Sequence, residues 1–97
     1  MRIIAKRTLR DFWTKHAESE QQLKAWFRDT ENAGWQNTQQ LKRDHPSASI
    51  LAANRIVFNI KGNRYRLIVK FNFEHQVGWV RFIGTHAEYD KINANTI

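Results

Sequence analysis

The sequence has 97 residues, of which 16 are Lys or Arg and 9 are Asp or Glu, so its formal net charge is +7. This length predicts one domain over residues 1–97 with a modest core and an open active site rather than a deep pocket. The absence of cysteine excludes disulfides and thiolate metal centres, and without a membrane-length apolar run or a secretory leader we expect a cytoplasmic protein. The basic excess favours nucleic acid as the partner, although exposed Lys and Arg are also merely solvated in many small proteins.

The first half of the chain is predicted to form one strand and two helices. Residues 2–6 have the apolar middle of a short strand, and Thr8 to Asp11 and Ser19 to Gln22 have capping-box spacing that predicts two helix starts. The second helix is predicted to end near Gly34, and connecting chain, with at most one helical turn, continues to Asn54. Apolar residues follow the two starts at helical spacing and are expected in the core: Leu9, Phe12, Trp13, Leu23, Trp26 and Phe27.

The second half is predicted to form three antiparallel strands, at residues 55–60, 64–73 and 79–83. A turn containing Lys61, Gly62 and Asn63 joins the first two. Together with the earlier elements they predict an α+β domain of order β-α-α-β-β-β, whose antiparallel sheet packs on the two N-terminal helices, with a short C-terminal helix.

Alternation along the long strand predicts two faces. Tyr65, Leu67, Val69, Phe71 and Phe73 form the face that packs on the helices, whereas Arg66 and Lys70 face water. If the strand registers agree, six basic residues share the exposed face and suit a phosphate backbone: Arg55, Lys61, Arg64, Arg66, Lys70 and Arg81. The face of Arg81 does not follow from its strand, because apolar residues flank it on both sides.

Two aromatic residues of this region, Trp79 and Tyr65, are candidates for stacking on an unpaired base. The alternative for both residues is an ordinary place in the core.

The corner after the last strand carries a third capping-box pattern, Thr85 to Glu88, which predicts a short helix there. His86, Tyr89 and Asp90 lie at positions i, i+3 and i+4 of this helix, so imidazole, phenol and carboxylate are expected on one side of it. A histidine in this setting can transfer a proton at neutral pH. The alternative is structural, with His86 bonding at a helix start and Asp90 as a surface charge. The other histidines show no metal-ligand spacing.

Two stretches resemble the HigB toxins of bacterial type II toxin–antitoxin systems, a branch of the RelE superfamily. They are RIVFNIKGNRYRLIV (residues 55–69) and RFIGTHAEYDKI (residues 81–92), in the order that the family has, and together they make up about a quarter of the chain. The resemblance implies a RelE-like fold and an endoribonuclease that cleaves translated mRNA in the ribosomal A site and needs neither a metal nor another cofactor. It also implies neutralisation by a HigA-type antitoxin with a helix-turn-helix domain; we expect a monomer when free and a hetero-oligomer with the antitoxin.

The resemblance also implies site residues. The arginine of the YRL motif, which contacts the scissile phosphate in the family, corresponds to Arg66, and the terminal motif supplies His86 and Tyr89, with Asp90 to orient them. Which group is general base and which is general acid stays open. Two other functions remain as alternatives: a non-enzymatic inhibitor on the same scaffold, as in the ParE-type gyrase poisons, and an RNA-binding module without chemistry.

Overall fold

The computed structural model describes residues 1–97 as a five-stranded sheet and four α-helices. None of the helices is long and apolar enough to span a bilayer. The predicted α+β class and the order of its main elements are confirmed. The strands are β1 (Arg2–Ile4), β2 (Ser49–Ile50), β3 (Arg55–Ile60), β4 (Tyr65–Asn72) and β5 (Val77–Thr85), and the helices are α1 (Lys6–Lys15), α2 (Glu20–Glu31), α3 (Thr38–Asp44) and α4 (His86–Tyr89).

The sheet has the strand order β1-β5-β4-β3-β2. Strands β3, β4 and β5 form the predicted antiparallel meander, and β5 is longer than the predicted 79–83. The prediction of an antiparallel sheet is wrong at β1, which runs parallel to β5 with Ile3 opposite Gly78. A parallel neighbour requires a long crossover, and here the chain from α1 to β4 provides it. The sheet is therefore mixed.

Helix starts were predicted less well than strands. Helix α1 begins at Lys6 after Ala5 and has no side-chain cap, so the capping box at Thr8 is wrong. Ser19 does precede α2, but its hydroxyl donates to the carbonyl of His16 at 2.7 Å instead of capping the helix. The weak helical signal near Thr38 is a full helix, α3, whose cap is the Asn37 side chain accepting from the Gln40 amide at 2.9 Å.

The core lies between helices α1 and α2 and one face of the sheet, which we call the first face. Its centre consists of buried, closely packed apolar side chains, as the alternation in β4 predicted. The buried residues of β3 and β4 in it are Ile56, Phe58, Ile60, Tyr65, Leu67, Val69 and Phe71, and those of the two helices are Leu9, Trp13, Leu23, Trp26 and Phe27. The opposite side, the second face, carries the candidate functional residues.

Candidate active site

The second face consists of three rows of residues aligned across β3, β4 and β5. The row nearest α4 has Arg66 opposite Asn59 and Gly84. The middle row is apolar, with Ile68 opposite Val57 and Phe82, and the far row has Lys70 opposite Arg55 and Trp79. The positive charges of β4 are therefore separated by an apolar row and do not form a continuous ladder.

Two of the six predicted basic residues lie away from this face. The Arg64 guanidinium is 3.6 Å from the Glu18 carboxylate, which precedes α2, and the Tyr65 hydroxyl also donates to Glu18. Lys61 lies in the hairpin turn, where its main-chain N–H donates to the Gln22 side chain at 2.7 Å. Both residues precede β4, in the hairpin connection beside the helices, so the predicted common surface contains only Arg55, Arg66, Lys70 and Arg81.

Arg81 joins the second face because of an irregularity in β5. The pairing of β4 with β5 shifts between Ile68 and Val69, and Arg81 is the residue of β5 left without a partner there. Such a bulge redirects side chains relative to strict alternation. The Nε atoms of Arg81 and Arg55 both donate to the carbonyl oxygen of Ile97, at 3.4 and 2.8 Å.

The chain after α4 therefore runs back over the β3 and β4 side of the second face. Val57 and Ile68 in the middle row are only 3% and 0% exposed, although neither belongs to the core against the helices. On the β5 side of the same face Phe82 is half-buried and Arg81 is exposed. The accessible part of the second face therefore lies along β5.

The corner between β5 and α4 is held by a complete capping box, as predicted. The Thr85 hydroxyl accepts from the Glu88 amide at 3.2 Å, and the Glu88 carboxylate accepts from the Thr85 amide at 2.8 Å. Hydrogen bonding of the Glu88 carboxylate by the main chain and then the side chain of Thr85 lowers the pKa of Glu88, because it favours the charged form. The His86 amide donates to the Arg64 carbonyl at 3.1 Å and so fastens α4 to the hairpin that carries Arg66.

His86 and Asp90 form one pair on α4. Nδ1 of His86 is 3.1 Å from Oδ2 of Asp90, and their side chains are 52% and 61% exposed. With Nδ1 donating to the carboxylate, the Nε2 atom of a neutral imidazole carries the free lone pair. This geometry suits a general base that faces solvent.

Arg66 and Tyr89 form a second pair next to the first. The Arg66 guanidinium carbon lies 5.7 Å from the centre of the Tyr89 ring, a cation–π distance, and Nη1 donates to the Asn63 carbonyl at 3.0 Å. The Tyr89 ring is in turn 6.4 Å from the Phe82 ring. The four residues predicted to be catalytic thus lie at one end of the second face, on β4 and α4.

The two stacking candidates differ in accessibility. Tyr65 is 2% exposed and lies on the first face beside the Phe12 ring, 5.1 Å away, so it cannot stack on a base and its interpretation as a core residue is correct. Trp79 lies in the far row of the second face and is half-buried, so part of its indole is accessible.

Comparison with known proteins identifies the family. Residues 19–92 match the family model described as the HigB toxin, the RelE-like toxic component of a toxin–antitoxin system. This match includes β2 to β5, α4 and all four predicted catalytic residues. The chain belongs to this HigB family. Membership of a toxin–antitoxin family implies an antitoxin as its partner.

Curated relatives of this HigB-family chain support the same assignment over nearly its whole length. It is 28% identical over 96 residues to the mRNA interferase toxin HigB of Escherichia coli strain K12. The aligned region makes up 97% of this chain and 92% of that relative. The mRNA interferase HigB proteins of Escherichia coli O157:H7 and of Shigella flexneri match with the same identity and coverage.

Two residues that shape this HigB-family site gave no signal in the sequence. Asn63 contributes a main-chain carbonyl, which any residue carries, and Phe82 faces the site through the bulge. The site is open as predicted, since none of the surface concavities is lined by Arg66, His86, Tyr89 or Asp90. No group of three or more His, Asp or Glu side chains is arranged to hold a metal ion.

Proposed function

We propose that this chain is the toxin of a type II toxin–antitoxin pair and acts as a ribosome-dependent endoribonuclease that cleaves translated mRNA in the A site. The observation that carries the proposal is the family match over residues 19–92, which includes the Arg66–Tyr89 and His86–Asp90 pairs. The names of the curated relatives, mRNA interferases, point to the same substrate. A protein that acts on translating ribosomes works in the cytoplasm.

The first chemical step is attack by a ribose 2′-hydroxyl on the adjacent phosphate. Nε2 of His86 takes the hydroxyl proton, while Asp90, 3.1 Å from Nδ1, fixes the ring and stabilises its protonated form. RNA carries its own nucleophile, and the chain offers groups for both proton transfers. We therefore propose cleavage without a metal ion.

The second requirement is stabilisation of the negative charge that develops on the phosphate. Arg66 supplies it through a guanidinium held between the Asn63 carbonyl at 3.0 Å and the Tyr89 ring. The 5′-oxygen leaves with a proton from the Tyr89 hydroxyl or from water. The products are a 2′,3′-cyclic phosphate and a free 5′-hydroxyl.

An open site with exposed catalytic groups does not hold a flexible RNA by itself, which is the physical reason for ribosome dependence. We propose that the remaining basic residues bind RNA, with Arg55, Lys70 and Arg81 on the second face and Lys61 and Arg64 on the hairpin side. The antitoxin is proposed to be of the HigA type with a helix-turn-helix domain. The toxin is proposed to be a monomer until it binds the antitoxin.

Primer extension on a defined mRNA in a reconstituted translation system tests this function. The wild-type protein is expected to produce cuts within the A-site codon and none on the same mRNA without ribosomes. Arg66→Ala and His86→Ala are each expected to reduce the cleavage rate by about 100-fold or more with an unchanged melting temperature. If both variants cleave at the wild-type rate, the site assignment is wrong.

Matched controls are available for both substitutions. Arg43 and His75 are exposed, and their side chains make no hydrogen bond or ion pair, so Arg43→Ala and His75→Ala should cleave like wild type. Protection of the mRNA without cuts would support an RNA-binding module instead. DNA damage signalling in cells without mRNA cuts would support a gyrase poison.

A further inference from the structure

A concavity of about 500 Å³ lies at the far row of the second face, away from the proposed catalytic residues. Trp79 and Lys70 line it from β5 and β4, and Ala53 and Asn54 line it from the turn before β3. We propose that this concavity binds one unpaired nucleobase of the mRNA, stacked on the Trp79 indole, and so sets a sequence preference. This inference rests on the proposed function, because it assigns a subsite for the same substrate.

The chemistry of the lining fits a base better than a bare phosphate. Lys70 and Glu74 contribute one positive and one negative charge, so the concavity has no net charge of its own. The other polar groups are the carboxamides of Asn54 and Asn72, which suit the hydrogen-bonding edge of a base. Oδ1 of Asn72 accepts from the main-chain N–H of His75 at 3.0 Å, which leaves the side-chain Nδ2 of Asn72 free to donate. The half-buried indole supplies the apolar surface for stacking.

The turn that forms one wall is held in an uncommon backbone conformation. Ala53 and Asn54 both have positive φ, 56° and 58°, which is unfavourable for an alanine. A hydrogen bond from the Leu51 amide to the Arg55 carbonyl, at 2.7 Å, closes this turn. Strained backbone of this kind is concentrated at ligand sites, where the surrounding structure maintains it. The wall opposite Trp79 is therefore preformed.

The position of the concavity fits a strand that also reaches Arg66. Lys70 follows Arg66 by two rows on β4, a separation of about 13 Å at roughly 3.3 Å per residue. This distance corresponds to about four nucleotides of a stacked strand at ~3.4 Å each, and to fewer in an extended one. Arg81 and Phe82 on the open β5 side lie between the two places. A single mRNA strand can thus contact both.

The test measures cleavage of ribosome-bound mRNAs that carry one abasic nucleotide, placed in turn at each of the four positions on either side of the cut. With the wild-type protein, one of these positions is expected to lower the cleavage rate by about 5- to 150-fold, the range for loss of one stacked base. Trp79→Ala should lower the rate on the intact mRNA by a similar factor and should no longer respond to the abasic nucleotide. Trp79→Phe, which keeps an aromatic ring, should restore part of both effects.

Phe12→Ala is the matched control, because Phe12 is a half-buried aromatic residue on α1, on the other side of the sheet. It should keep the wild-type response to the abasic nucleotide. If Trp79→Ala discriminates against the abasic mRNA as strongly as wild type, the subsite is refuted while the cleavage activity stands. Weaker binding of the antitoxin by Trp79→Ala with unchanged abasic discrimination would refute it too, in favour of a protein-binding role. Absence of cleavage by the wild-type protein would instead refute the proposed function.

Discussion

Replacing Gly84 by alanine tests whether β5 and α4 hold the catalytic residues in place. Gly84 lies opposite Arg66, and a Cβ atom there would come within 2.5 Å of Cζ of Phe82 and 3.1 Å of Oε1 of Glu88. A separation of 2.5 Å is far below van der Waals contact, so the Phe82 ring must move. The Tyr89 ring, 6.4 Å from it, and the capping carboxylate of Glu88 would move as well.

The expected cost follows from this overlap. Overpacking of this kind costs about 1–3 kcal/mol, and the lower flexibility of alanine in the unfolded chain offsets about 0.4–1 kcal/mol of it. From the middle of both ranges, the net loss is about 1.3 kcal/mol, which lowers the melting temperature by roughly 5–10 °C in a domain of this size. Because displacement of a positioned group by about 1 Å costs about 100-fold in rate, we expect cleavage by Gly84→Ala to fall by that factor well below its melting temperature.

Two other glycines separate the effect on the site from the effect on stability. A Cβ atom at Gly78 would lie 2.9 Å from the Phe71 ring, which is in the core, so Gly78→Ala should lose similar stability. Because Phe71 also lines the concavity beside Trp79, cleavage by Gly78→Ala is expected to fall, but less than cleavage by Gly84→Ala. Gly34 has no atom within 4 Å of such a Cβ, so Gly34→Ala should leave cleavage unchanged and raise the stability by about 0.4–1 kcal/mol through the lower flexibility of the unfolded chain. The assays are thermal unfolding and ribosome-dependent primer extension. Wild-type cleavage by Gly84→Ala would show that neither Phe82 nor α4 positions the reaction.

Two further predictions concern Asp90 and His45. Asp90→Ala should lower the cleavage rate by about tenfold without changing the melting temperature, a modest effect because the pair with His86 is more than half exposed; the exposed Asp11 offers a control substitution. Burial lowers the pKa of His45 below 6.5, against the opposing charges of Asp44 and Asp29, so the folded state favours the neutral ring. The contribution of His45 to the free energy of unfolding should be fully present above pH 6.5 and should be lost as the pH falls through the lowered pKa. His45→Gln should remove this pH dependence of the free energy of unfolding, measured between about pH 5 and 7.

The sequence predicted the meander and its two faces well because apolar residues occupy every second position of β4, and only Ile68 on the opposite face departs from the alternation. Every second residue from Tyr65 to Phe71 is buried against the helices, and Arg66 and Lys70 lie on the other side as expected. The corner at Thr85 was also predictable, since a capping box uses only neighbouring residues. Such patterns are predictable because neighbouring residues alone determine them, and in this fold the long-range packing is consistent with them.

The differences arise where distant residues compete with local patterns. Arg64 pairs with Glu18 and therefore lies off the second face, and Ser19 bonds back to His16 instead of capping α2. The bulge that turns Arg81 onto the second face depends on how two strands fit together, and no residue of β5 marks it. The return of the chain over Val57 and Ile68 likewise has no local signature.

The parallel pairing of β1 with β5 affects the order in which this chain folds. Ile3 and Gly78 are neighbours in the sheet, although most of the sequence separates them. The hairpins from β3 to β5, in contrast, join residues that are close in the chain. Closing a long loop costs more entropy than closing a short one, so contacts between neighbouring segments form earlier. The strands that carry the second face can thus assemble first. Strand β1 then docks late, on the edge that β5 leaves open.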